Sequence, residues 1–203
     1  MIRWCWQGSW LVLALVGCAT AATEPDPKGT LTELTPETQL SAPPPGPVSA
    51  DDALAVAHGR YLVELLGCGS CHTDGALIGA PSMDRQLAGS RVGIAYSNPL
   101  EVDRPGVVYG ANLTPDPETG IGNWTVEELV DVVRTGLDRH GRQQLSVMPW
   151  PVYSRMSDDD AQAIATYLKS LEPVRHEVPD RVEPGQRAPA PYIHFGVYTY
   201  DKD

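Results

Sequence analysis

The sequence predicts a small all-α domain of about three to five helices, and two observations predict it. Three segments place apolar residues at helical spacing between start and stop signals. The chain between them is rich in Gly and Pro and has little periodicity of its own. The first helix begins near Asp51, where acidic residues precede Ala53, Leu54, Val56, Ala57, Tyr61, Leu62 and Leu65, and it stops at Gly67. The second opens on Thr125 and Glu128, which fit a capping box, carries Leu129, Val130, Val132 and Val133 along one side, and ends at Gly136. The third runs from about Asp158 to Leu171. Ser157 is its N-cap, Asp158, Asp159 and Asp160 complement the positive first turn, and Ala161, Ile164, Ala165, Leu168 and Leu171 form the buried stripe.

Around this domain the chain divides further. Residues 1–17 have the layout of an export signal, with Arg3 followed by an apolar core through Leu11, Val12, Leu13 and Leu15 and then small residues. The apolar run is too short to span a bilayer. Leu15-Val16-Gly17-Cys18 resembles the lipobox of bacterial lipoproteins, which makes Cys18 the expected lipid anchor. Several acyl chains on one Cys anchor stably. Residues 18–50, rich in Pro, Thr, Ala and Glu, read as a lipid-anchored, proline-stiffened tether. The folded domain is expected over 51–173 and an irregular tail over 174–203, in which Tyr192, Ile193, Phe195, Tyr198 and Tyr200 hint at some packing.

At 203 residues there is room for one ordinary domain. The formal charge of -11 excludes wrapping of a nucleic-acid backbone, which needs Lys and Arg, and points to partners with basic patches. Losing the leader removes Arg3 and no acid, so the mature chain is more acidic still. Of the four cysteines, Cys5 leaves with the leader and Cys18 is lipidated, so Cys68 and Cys71 remain in a motif of their own. In an oxidising compartment that leaves no spare pair for a structural disulfide.

That motif is Cys68-Gly69-Ser70-Cys71-His72, the C-x-x-C-H pattern of c-type haem attachment. Two thiols at this spacing match the two vinyl groups on one edge of the macrocycle, and the next residue, His72, is placed to ligate iron. Gly69 and Ser70 are small enough to let backbone approach a porphyrin. A redox dithiol would sit in a βαβ context that this sequence lacks. A zinc site would need a second ligand pair, and no other Cys pair exists. One covalently bound haem c is therefore expected.

The sixth ligand sets the function, since a closed iron favours electron transfer and an open one invites small molecules. Met148, in Val147-Met148-Pro149-Trp150 ahead of the last helix, is the expected ligand, because Pro149 stiffens the backbone beside it. Met83 and Met156 are less well placed, and the ordinary fate of a lone Met is core packing. His58, His140, His176 and His194 are the rivals for a bis-histidine iron.

With these residues in view, the chain resembles the single-haem cytochrome c proteins and domains that accompany membrane-associated alcohol and gluconate-type dehydrogenases. The resemblance covers about Ala57 to Val174. Beyond the haem motif it rests on Asn112-Leu113-Thr114-Pro115-Asp116, Gly120-Ile121-Gly122 with Trp124, Met148-Pro149, and the acidic start and Tyr167-Leu168 of the last helix. That family often carries three such units in series, and this chain has one. The chain also departs from the family pattern at Leu87-Ala88-Gly89-Ser90 and from Pro99 to Pro105.

The resemblance implies a class I-like cytochrome c fold around haem, His72 and Met148 as axial ligands, and an electron-carrier role without catalysis of its own. Asn112, Trp124 and Pro149 become candidate haem-pocket residues. The expected function is one-electron shuttling between a dehydrogenase or respiratory donor and a downstream acceptor. The expected place is the periplasmic side of a bacterial membrane, with the outer membrane favoured by Ala19 after Cys18. A haem-based sensor with an open sixth site is the alternative, a peroxidase lacks a visible distal acid-base set, and a fixed subunit of a larger enzyme differs from a mobile carrier only in permanence.

Overall fold

A computed structural model describes residues 40–97 and 103–195. The leader, Cys18, most of the tether, and Tyr198 and Tyr200 lie outside the described residues.

Among the described residues five α-helices form in chain order: α1 (Ala53–Leu65), α2 (Cys68–His72), α3 (Val126–Thr135), α4 (Trp150–Tyr153) and α5 (Asp158–Lys169). Local chemistry closes α1 and α3 and opens α3 and α5 where the sequence predicts. Gly67 takes the left-handed conformation (φ 67°) that separates α1 from α2, and Gly136 (φ 70°) stops α3. Thr125 Oγ1 accepts from Glu128 N at 3.1 Å while Glu128 Oε2 accepts from Thr125 N at 2.9 Å, closing both halves of the capping box. Ser157 Oγ accepts from Asp160 N at 3.1 Å and opens α5.

The core lies where α1 crosses α5 and α3 closes the side. Val56 and Val63 of α1, Leu129 of α3, and Ile164, Ala165, Tyr167 and Leu168 of α5 are buried together with Ile121 and Leu171. Each such aliphatic side chain contributes about 2 kcal/mol on removal from water. Two polar contacts dress the start of α5: Arg134 of α3 pairs with Asp158, and His58 Nε2 of α1 lies 3.2 Å from Asp160 Oδ1.

The all-α expectation needs correction. A three-stranded sheet is present, ordered β2 (Val107–Val108), β1 (Gly93–Ala95), β3 (Tyr192–Ile193). β1 pairs antiparallel with β2, Ile94 opposite Val108, and parallel with β3, Ile94 opposite Ile193. Strands of two or three residues are too short to show the period-two alternation that marks a strand in sequence. Their pairing is imposed by tertiary contacts, and a small second core joins Val107 of β2 to Tyr109 and Val182.

Two chain segments wrap this body. Upstream of α1, Ala42 is buried, its carbonyl accepts from Arg60 Nε at 3.1 Å, and its N–H donates to Glu64 Oε1 at 3.0 Å. Pro43 O accepts from Tyr167 Oη at 2.7 Å, and Gly46 N donates to Ser170 O at 2.7 Å. Packing thus starts upstream of Asp51, within the stretch read as tether. Downstream of α5, Val182 and Val107 exchange backbone hydrogen bonds at 2.8 and 2.9 Å, and β3 joins the sheet. No helix among the described residues is long and apolar enough to cross a membrane.

Candidate functional site

Gly67 lets the chain turn sharply out of α1, and the next five residues wind into the single helical turn α2, so Cys68 and Cys71 sit three apart on one face. Both thiols are free and half-buried. Burial pushes the Cys68 thiol up to about 11 and raises Cys71 as well. A reactive dithiol needs the opposite shift, toward thiolate, so this environment does not suit thiol redox chemistry. No group of three or more His, Cys, Asp or Glu side chains among the described residues converges to hold a metal ion.

His72 is oriented from behind. Its Nδ1 donates to the Ala111 carbonyl at 2.7 Å; a carbonyl can only accept, so the proton of the neutral ring is on Nδ1 and the lone pair is on Nε2. Burial holds the imidazole below its ordinary range, with the Ala111 bond working against it, so the ring is kept in the neutral form a metal requires. The carbonyl can come this close because residue 110 is glycine: a Cβ there would fall 2.0 Å from the Cys71 carbonyl oxygen.

Met148 is half-buried at the end of an irregular segment. Its N–H donates to Leu145 O at 3.1 Å, and its carbonyl accepts from Trp150 N at 2.7 Å. Pro149 stands at the N-cap of α4, and Trp150 Nε1 donates to Gln144 O at 3.1 Å, so the backbone on both sides of the sulfur is held. α4 itself stands within electrostatic reach of the motif. The Tyr153 phenol is pushed up to about 12, first by burial and then by Cys68 and Cys71. Of the other methionines, Met83 is exposed and Met156 packs against the main core.

Two free thiols on one turn, an adjacent imidazole with Nε2 available, and no second thiol pair in the described chain together fit a covalently attached haem.

No protein-family model matches the chain. Individual proteins do. It is 37% identical over 135 residues, 64% of its length, to the protein named alcohol dehydrogenase (quinone), cytochrome c subunit, of Gluconobacter oxydans (strain 621H). It is 33% identical over 150 residues, 73% of its length, to the fructose dehydrogenase cytochrome subunit of Gluconobacter japonicus. It is 34% identical over 119 residues, 59% of its length, to the gluconate 2-dehydrogenase cytochrome c subunit of Pantoea cypripedii. The chain resembles dehydrogenase cytochrome c subunits. It spans only 25%, 26% and 23% of the length of these three relatives.

Against this cytochrome c likeness the remaining candidates fall into place. Asn112 is buried, and its amide is wholly occupied within the protein: Nδ2 donates to Val174 O and Thr119 Oγ1, and Oδ1 accepts from Thr114 N and Oγ1. Trp124 is half-buried against the main core, with the Arg139 guanidinium 5.7 Å from its ring centre. Pro149 is exposed and adjoins Met148. Among the rival histidines, His58 and His140 are exposed and His194 is half-buried in the C-terminal segment. His176 is buried, with Nδ1 donating to Ala88 O at 2.9 Å and Nε2 3.8 Å from Asp74 Oδ2.

Sequence reasoning missed Gly110, Ala111 and Lys169. Ala111 acts through a backbone carbonyl, which no side-chain pattern announces. Lys169 Nζ donates to the carbonyls of Ile121, Gly122 and Trp124 at 3.3, 2.8 and 2.9 Å and so closes the loop that follows Asn112. A lone Lys at a helix C-terminus reads as a surface charge.

Proposed function

We propose that this chain is an electron-transfer protein carrying one haem c, an electron carrier and not a catalyst. The observation that supports it most is the C-x-x-C-H turn with His72 held by Ala111, in a chain similar to named dehydrogenase cytochrome subunits. Bound haem c supplies one-electron redox chemistry. Cys68 and Cys71 hold it through thioethers. His72 would offer Nε2 to the iron, its ring fixed by Ala111. Met148 would offer its sulfur as the second protein ligand, on backbone stiffened by Pro149 and Trp150. His/Met ligation raises the potential relative to two nitrogen ligands, which suits receipt of electrons from a dehydrogenase.

In this reading the partner is the catalytic subunit of a dehydrogenase, with basic groups facing this acidic chain, and a downstream acceptor takes the electron on. The leader exports the chain, Cys18 anchors it to the membrane by lipid, and the outer membrane is favoured. The sensor alternative finds no support among the relatives, which are named as dehydrogenase subunits.

The test is a pyridine haemochrome assay followed by oxidised and reduced visible spectra, including the near-infrared sulfur-to-iron band, of wild type and Met148→Ala. One thioether-linked haem and a band lost in the variant are expected. A wild type without the band, binding carbon monoxide when reduced, would overturn Met148 ligation.

A further inference from the structure

The carbonyl that orients His72 belongs to the peptide group joining Ala111 to Asn112, so whatever fixes Asn112 also fixes that carbonyl. Asn112 is 3% exposed and gripped by the chain leaving α5. Its Nδ2 donates to Val174 O at 2.8 Å and to Thr119 Oγ1 at 3.1 Å, and its Oδ1 accepts from Thr114 N at 2.9 Å and Thr114 Oγ1 at 2.7 Å. Thr114 is 1% exposed, and its Oγ1 accepts from Val174 N at 3.0 Å. Val174 is therefore held by both of its backbone groups. One residue pair further on, His176 N donates to Thr119 Oγ1 at 3.0 Å. A simple turn at Asn112 needs only the Oδ1 bonds; the Nδ2 bond to Val174 O adds a brace across 62 residues of sequence.

We propose that Asn112 and Thr114 are positioning residues for His72, which lock the Ala111 carbonyl by bracing its peptide group against Val174. The brace sets how strongly Nδ1–H is polarised, hence how basic Nε2 is toward iron. A more basic ligand favours ferric iron, so loosening the brace raises the midpoint potential. The inference rests on His72 ligating haem, as proposed above.

The test uses the haem-loaded full chain. Thr114→Val keeps the shape and removes the acceptor for Val174 N, while Asn112→Ala removes the whole amide. Ser157→Ala serves as control, since it deletes the α5 cap, the 3.1 Å bond from Asp160 N, which shares no group with this network. Spectroelectrochemical midpoint potentials and thermal unfolding are measured on all four proteins. Both network variants are expected to raise the reduced-to-oxidised ratio at a fixed potential, up to about tenfold or ~59 mV for a one-electron couple. The control is expected to lose stability with no such rise. If Asn112→Ala does not fold, Thr114→Val decides alone. An unmoved potential in the network variants, or an equal rise in the control, overturns the proposal. A wild type lacking thioether-linked haem would sink the parent reading, whereas an unmoved potential sinks this one alone.

Discussion

Gly59 and Ala163 meet backbone to backbone where α1 crosses α5: a Cβ at Gly59 would come within 1.9 Å of the Ala163 carbonyl oxygen and 2.7 Å of Tyr167 Cβ. Glycine inside a helix costs about 1 kcal/mol relative to alanine. The close crossing returns more than that, because it lets Val56, Val63, Ile164 and Tyr167 pack without a gap. Gly59→Ala is therefore expected to destabilise by about 3 kcal/mol despite the better helix former, since neither backbone can yield. Urea unfolding followed by circular dichroism measures it. A stability equal to or above wild type would show that the two helices can slide apart at no cost.

Lys169 supplies one ammonium to three carbonyls of the segment 121–124. Lys169→Met keeps the aliphatic stem and leaves those carbonyls without their donor. The expected loss is about 2 kcal/mol. Because the segment runs into the α3 capping box, amide hydrogen exchange should quicken at Gly122 to Glu128 before it quickens in α1. Uniform quickening across both would mean that Lys169 stabilises the fold as a whole and not this loop.

What could be read from the sequence follows from how local each signal is. The capping box at Thr125 and Glu128, the Ser157 cap and the stop at Gly136 depend on neighbours within a few residues, and each forms as expected. The motif at Cys68 to His72 is likewise contiguous. The sheet, in contrast, joins residues 94, 108 and 193, and the wrapping of Ala42 against Arg60 depends on side chains that have no local reason to meet it. α4 is a four-residue turn opened by Pro149, too short for periodicity. At the candidate site, Cys68, Cys71 and His72 announce themselves by contiguity and the orientation of His72 does not, because Ala111 orients it through a carbonyl that every residue possesses.

Asp138 ties down the segment that leads from α3 to Met148, and its charge makes that tie sensitive to acid. Oδ1 accepts from His140 N and Arg142 N, each at 2.9 Å, and Oδ2 accepts from Arg142 Nε at 2.9 Å. Burial alone would raise this carboxyl, but those hydrogen bonds and the Arg142 charge together hold it below the usual carboxylate range. A folded value below the unfolded one, about 3.9, means the stabilisation is present above pH ~4 and is lost as pH falls through the folded value. Asp138→Asn is expected to cost about 2 kcal/mol at neutral pH. The gap between wild type and variant should then close below pH 4 in thermal unfolding measured as a function of pH. A gap that stays constant to pH 2.5 would assign the effect to shape and not to the charge.

The formal charge of -11 makes a separate prediction about encounter with a partner. Screening lengths fall from about 30 Å at 0.01 M salt to about 8 Å at physiological ionic strength, so long-range steering by this charge weakens over that range. Complementary charge acts chiefly on the association rate and little on the rate of separation. The second-order rate of reduction by the proposed partner, a dehydrogenase subunit with basic groups at its docking face, should accordingly fall by about tenfold between those two conditions when followed by stopped flow. Reduction by a small uncharged reductant, which feels no field, should change little and isolates steering from any effect of salt on the protein itself. A partner rate indifferent to salt would mean that docking proceeds through the apolar surface alone, for which the exposed Leu54, Tyr61 and Leu65 of α1 would be the first residues to replace.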